Sequence, residues 1–187
     1  MAARLTRGRF TASIAALIVL LAVGLSACGG RAELPATPRA VMSAGPGVAT
    51  SGAVAMTRAQ LTRALGDVGL QLDDAQVPYR APEPPSFDTV PRAIVRALLP
   101  DDPNHGYISI YEFPTTSAAA DGGRALAGYL RTGFGRAQFP PDARQGIRQL
   151  GTTLIYFWWS PASSPDVRTA DIEKALELVG SKVEIPG

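Results

Sequence analysis

The sequence predicts an α+β domain: a single small domain with an antiparallel sheet of about four strands and about three helices packed on one face. Three observations predict it. A run of turn formers, Pro100 to Gly106, separates two stretches rich in strand-forming residues. Apolar residues recur at helical spacing near 57–68 and again near 169–179. Read in order, the elements run helix, hairpin, helix, hairpin, helix, the arrangement of an antiparallel sheet with helices laid on it.

The first helix is expected from Thr57, where Thr57 and Gln60 form a capping-box pair. Leu61, Ala64, Leu65 and Val68 follow at i, i+3, i+4 and i+7 on one face, and Gly69 closes the helix. Leu70 and Leu72 alternate and start a strand. Residues 73–91 contain Pro78, Pro82, Pro84, Pro85 and Pro91 and read as a loop, because proline denies a helix or a central strand its donor. Connections of that length are often functional or mobile.

Residues 93–99 and 106–113 form the first expected hairpin. The Ala-rich segment 116–131 follows, with Leu126, Tyr129 and Leu130 as apolar marks. Gly122, Gly123 and Gly128 each weaken it by about 1 kcal/mol against Ala, so this helix needs a sheet to lie on, and its small residues allow close approach. After a Gly/Pro loop at 132–145 come strands 146–150 and 152–159, the second being the most strand-prone stretch of the chain. A last helix starts near Thr169, buries Ile172, Ala175, Leu176 and Val179, and ends at Gly180; Val183 to Ile185 can pair on a sheet edge. The order strand-strand-helix occurs twice, although no residue-level repeat accompanies it.

The amino terminus is organised differently. Arg4, Arg7 and Arg9 precede an uncharged stretch, 11–30, in which Ile14 to Leu25 is an apolar run broken only by Gly24. Small residues then lead to Cys28. A basic end, a short apolar run and small residues describe a secretory signal, and a core of about 12 residues falls short of the roughly 20 that a spanning helix needs. Leu25-Ser26-Ala27-Cys28, followed by Gly29-Gly30, resembles the lipobox of bacterial lipoproteins. The resemblance implies that residues 1–27 are removed, that the Cys28 thiol carries a diacylglyceryl group, and that the new amine is acylated. Two or three chains anchor stably where one does so marginally. The competing readings are an uncleaved membrane helix and an ordinary signal with a chance cysteine. Gly29 in place of Asp resembles the outer-membrane class in a two-membrane cell; in a one-membrane cell the protein stays on the outer face of the cytoplasmic membrane.

Residues 28–56 read as the lipidated cysteine and a flexible tether, with Gly, Ala, Pro, Ser and Thr and no regular period. Such a tether holds the domain of residues 57–187 roughly 30 Å from the lipid surface. Within that domain, the strand Ile108 to Phe113 running into an Ala-rich helix, and Leu154-Ile155-Tyr156 preceding a helix closed by Gly180, resemble small bacterial lipoproteins of uncharacterised activity. That resemblance brings no catalytic residues with it.

Charge excludes one class of function. Loss of the three signal arginines leaves 15 of 18 basic residues against 16 acids, a net charge of −1, so nothing draws the domain to nucleic acid. Cys28 is the only cysteine, so no internal disulfide forms. With one histidine and no spare cysteine the usual zinc ligand sets are lacking, and no cofactor or metal is expected.

Candidate chemistry is sparse. His105, the sole histidine, sits beside Asp101, Asp102 and Asn104, which fits a general base oriented by a carboxylate, an oxygen-rich calcium loop, or simply a turn. Ser109, Ser160, Ser163 and Ser164 lie in no G-x-S-x-G context. Glu112 with Asp88 is a carboxylate pair of the kind glycoside chemistry uses. Tyr156-Phe157-Trp158-Trp159 is the one aromatic concentration. In a strand Tyr156 and Trp158 share one face and Phe157 and Trp159 the other, so one pair lies in the core and the other faces water, a partner or the 73–91 loop as cover. The sequence thus reads as a membrane-anchored envelope lipoprotein, attached through Cys28, whose domain binds a protein, peptide or small ligand without catalysis. Tyr156, Trp158 and Trp159 are its candidate surface, and a surface hydrolase using His105 or a carboxylate pair is the alternative.

Overall fold

The computed structural model describes residues 51–186. The signal segment 1–27, Cys28 and the tether up to residue 50 lie outside them. Among the described residues no helix is long and apolar enough to cross a membrane.

Helix α1 spans Gly52–Asp67 and begins earlier than expected, because the Ser51 hydroxyl accepts the Val54 N–H and caps it there. Thr57 is no cap. It lies buried inside the helix, donates to the Ala53 carbonyl at 3.0 Å, and shares a 2.7 Å hydrogen bond with Thr153. Val54, Thr57, Leu61 and Leu65 form the buried stripe. The following strands are β1 (Leu72–Asp74), β2 (Arg92–Ala97) and β3 (Tyr107–Glu112), with a short 3-10 turn at Pro85–Phe87. Helix α2 (Thr116–Arg131) matches its expected limits, capped by the Thr115 hydroxyl. Inside the expected 132–145 loop lies a one-turn helix, α3 (Gly133–Arg136). Strands β4 (Arg144–Leu150) and β5 (Thr153–Trp159), helix α4 (Thr169–Glu177) and a two-residue strand β6 (Ser181–Lys182) complete the chain.

The sheet has six strands in the order β1-β2-β3-β5-β4-β6, all antiparallel. The α+β class stands, while the expected single helical face does not. Helices α1 and α4 pack on one face, over Val95, Ala97, Ile108, Ile110, Ile155 and Phe157. Helix α2 packs on the other, with Leu126, Ala127 and Leu130 over Tyr111, Ile147, Leu154 and Tyr156. Two-sided cover explains the unbroken burial of Ile108 to Tyr111 and of Thr153 to Phe157: the central strands are apolar on both faces. The two strand-strand-helix units are not spatial copies, since α2 and α4 lie on opposite sides.

Burial outweighs the glycine penalty in α2. Leu126 and Leu130 each contribute about 1.5–3 kcal/mol when fully buried, against about 1 kcal/mol lost per glycine. Gly123 allows close approach, since a Cβ there would sit tightly against Val183 and Leu154 at 3.1–3.3 Å. The turn between β2 and β3 closes at Gly106, whose φ of +84° and proximity to the Ala97 carbonyl admit no side chain.

Candidate functional site

The aromatic strand is core and cover, not an open platform. Tyr156 is buried among α2 and the sheet, and Trp159 is 8% exposed on the α1–α4 face. The Trp159 indole donates to Glu173 at 3.0 Å and lies under the Arg144 guanidinium, 5.4 Å from the ring centre. Trp158 is half-buried. Its indole N–H donates to the Tyr79 hydroxyl at 2.8 Å, and its ring meets Phe139 edge-on at 5.1 Å. The 73–91 loop therefore covers this ring, as the alternation along the strand allows. Tyr79 also stacks on Tyr107, with ring centres 4.3 Å apart and planes at 8°. Burial raises its phenol to about 12, a rise the Trp158 hydrogen bond partly opposes.

The same loop is pinned by a buried carboxylate that sequence reasoning missed. Glu83, its side chain 2% exposed, accepts from Arg80 at 2.7 Å, from Arg92 of β2, and from the Tyr111 hydroxyl of β3 at 2.6 Å. Arg92 also donates to the Phe87 carbonyl at 2.8 Å. Burial, and then the adjoining Glu83 carboxylate, push the Tyr111 phenol far above its ordinary range. The signal is Arg92 at the start of a strand-prone run: an arginine there that becomes buried needs a carboxylate, as Arg92 finds in Glu83, while Arg96 on the same face reaches the Pro103 carbonyl instead.

His105 lies in the β2–β3 turn. Its Nδ1 is 2.6 and 2.8 Å from the two carboxylate oxygens of buried Asp102. Asp166 docks on the same turn, accepting the Asp101 N–H at 3.3 Å and the Arg168 guanidinium at 2.8 Å. The Arg168 side-chain bonds, joined by main-chain N–H donors, hold the Asp166 carboxyl at about 2. Among the described residues no hydroxyl is bonded to the imidazole. Ser160 donates instead to Asp142 at 2.7 Å, and Ser109 is buried in the sheet. Of the carboxylate pair, Asp88 is tied to Arg80. Among the described residues no three of His, Cys, Asp and Glu converge on a point where a metal could sit.

A cleft opens at the edge of the sheet. Strand β6 covers only part of the outer edge of β4: Ser181 and Lys182 lie opposite Gln149 and Arg148. One more bond follows, from the Val183 N–H to the Ile147 carbonyl at 3.0 Å. Main-chain groups along a strand turn to alternate sides, so Gln145 points its N–H and C=O outward as Ile147 does. Among the described residues no main-chain bond from the tail reaches Gln145. Here a cleft of about 520 Å3 separates α4, at Glu173, Leu176 and Glu177, from the tail, at Val183 and Ile185. Both Ile147 and Phe157 line it, from opposite faces of the sheet, so it opens on the sheet edge itself. Arg148 holds one wall rigid by donating to the carbonyls of Glu177, Val179 and Gly180 at 2.7–2.9 Å, which satisfies the orphan acceptors at the end of α4. A second cleft of about 390 Å3, beside Arg131, Arg136 and Phe139, lies on the other side of Ile185. His105 lines neither.

No family model matches the chain, and neither a curated protein nor a solved structure matches it.

Proposed function

We propose that the chain is a cell-envelope lipoprotein, anchored through a lipidated Cys28, whose domain is a non-enzymatic binding module. One observation carries the anchoring: the only cysteine of the chain ends a Leu-Ser-Ala-Cys tetrapeptide directly after an uncharged apolar run with a basic start. The binding half is supported by the cleft at the β4 edge, an opening with mixed apolar and charged walls and outward main-chain groups. Location follows from the anchor, on the outer face of the cytoplasmic membrane or on an outer membrane.

Two measurements test the two halves. Mass spectrometry of the chain extracted from cells is expected to find Cys28 as an acylated first residue and Cys28→Ala as an unprocessed precursor; a bare or internal Cys28 sinks the anchoring. A photocrosslinking amino acid placed at Glu177 is expected to trap an envelope partner, whereas one at exposed Arg63 on α1 traps none. Equal labelling from both positions, or none from Glu177, removes the binding reading.

A second reading, a surface hydrolase, is favoured by one contact alone, the Asp102 carboxylate that orients His105. Hydrolysis of an activated ester by the chain, lost in His105→Asn, would establish it.

A further inference from the structure

We propose that the open edge of β4 at Gln145, just before the point where the tail pairs with Ile147, binds an extended peptide segment of a partner protein as an added strand of the sheet. This deepens the binding-module reading and rests on it. The argument begins with the main chain. Gln145 presents one N–H and one C=O at the sheet edge, and beyond Val183 the tail no longer pairs with β4. The partner that matches an outward N–H and C=O at strand spacing is another extended backbone, which supplies the complementary pair at each second residue.

Space and side chains agree with such a guest. Gly146 has no Cβ, and one placed there would meet nothing within 4 Å, so the face of the sheet beside the edge is uncrowded at this point. A strand lying in the plane of the sheet sends alternate side chains to opposite sides. One set would meet Leu176 and Glu177 of α4, the other Val183 and Ile185 of the tail.

Charge narrows the guest further. Arg144 lies over Trp159 and 3.7 Å from Glu173, Lys182 pairs with Glu184 at 3.0 Å, and Arg148 is spent on three carbonyls. Glu177 is the lining charge whose carboxylate has no ion pair or hydrogen bond among the described residues, so the guest carries a basic side chain where it passes α4. The opposite edge of the sheet offers no such site: β1 is three residues long and carries Asp73 and Asp74, charges of the kind that blunt an edge.

The test uses the full chain purified in detergent and peptides selected from a random heptapeptide display library, then resynthesised. Selected peptides are expected to favour Lys or Arg at one position and alternating apolar residues elsewhere. Gln145→Ala keeps the main-chain donor and should leave the Kd within about twofold, while Gln145→Pro deletes the outward N–H and should weaken it by about tenfold or more. Should Gln145→Pro fail to fold, by circular dichroism, the peptide decides: methylating one backbone nitrogen at a time should abolish binding at alternate positions only. The proposal is overturned if no peptide is selected, if Gln145→Pro binds like the parent chain, or if Gln145→Ala loses as much as Gln145→Pro. It is equally overturned if the chain dimerises and Gln145→Pro abolishes the dimer, since a second copy is then the occupant. Any of these results alongside specific crosslinks from Glu177 leaves the binding module standing with a different guest; missing crosslinks sink that reading itself.

Discussion

Glu83, on a loop of five prolines, accepts a 2.6 Å hydrogen bond from Tyr111 at the middle of the sheet. The same carboxylate neutralises Arg92, so the loop is held by an ion pair closed off from water. Removing one partner of such a pair leaves the other charge buried alone. Glu83→Ala is therefore expected to cost about 3–5 kcal/mol. Tyr111→Phe, which loses only a bond to a charged acceptor, should cost about 1.5–3 kcal/mol. Urea unfolding of the two variants and their double mutant measures both, and the double should fall short of the sum because the two residues share one network.

Three tyrosines sit above the ordinary phenol range while the domain is folded. Tyr79 is raised to about 12, and Tyr111 and Tyr156 are raised further, each chiefly by burial. A phenol raised by folding favours the folded state while it stays neutral. That stability is complete below the unfolded value near 10 and drains away as pH rises through the folded one. Ultraviolet titration between pH 10 and 11 should thus show these phenols silent in the folded chain and ionised in the urea-unfolded chain. Tyr79→Phe should trim the high-pH loss and should change the Trp158 fluorescence, because that indole loses its acceptor.

How much of this was legible in the sequence differs from element to element. Helix α2 and strands β2, β3 and β5 follow from local pattern, and their limits agree with it to within a few residues. The start of α1 differs from the capping-box pattern at Thr57 because the helix continues further back, with Val54 buried and Ser51 as its cap. Two-sided cover of the sheet was implicit in the unbroken apolar runs, but which helix takes which face depends on the crossover from β3 to β4, a tertiary matter. The aromatic quartet could be divided by alternation into two faces; that both faces are covered could not be read without α2, α4 and the loop in place. The β4 edge was invisible, since nothing local says that β6 stops after two residues.

Acid should reveal the Asp166 clamp between the 160–168 segment and the β2–β3 turn. Its carboxyl is held at about 2 instead of 3.8, first by the Arg168 side chain and then by main-chain N–H donors. A depressed carboxyl stabilises the fold above its unfolded value, and that contribution is lost as pH falls from about 4 through about 2. Asp166→Asn is expected to lower the urea midpoint at pH 7 and to flatten its fall between pH 4 and pH 2. An unchanged acid slope would show that other carboxylates govern it.

Two glycines of α2 should respond to alanine with opposite signs. Gly128 is exposed and a Cβ there would meet nothing within 4 Å, so Gly128→Ala gains helix propensity and stabilises by about 1 kcal/mol. Gly122 is buried, and a Cβ there would run into the ring of Phe113, which itself packs edge-on to Phe87 at 5.8 Å. The same propensity gain is then opposed by displacement of a packed ring, a strain of about 1–3 kcal/mol. Thermal melts should rank Gly128→Ala above the parent chain and Gly122→Ala below it. Trimming Phe113 to Leu in the Gly122→Ala background should recover part of the loss, since the clash is with the far end of that ring.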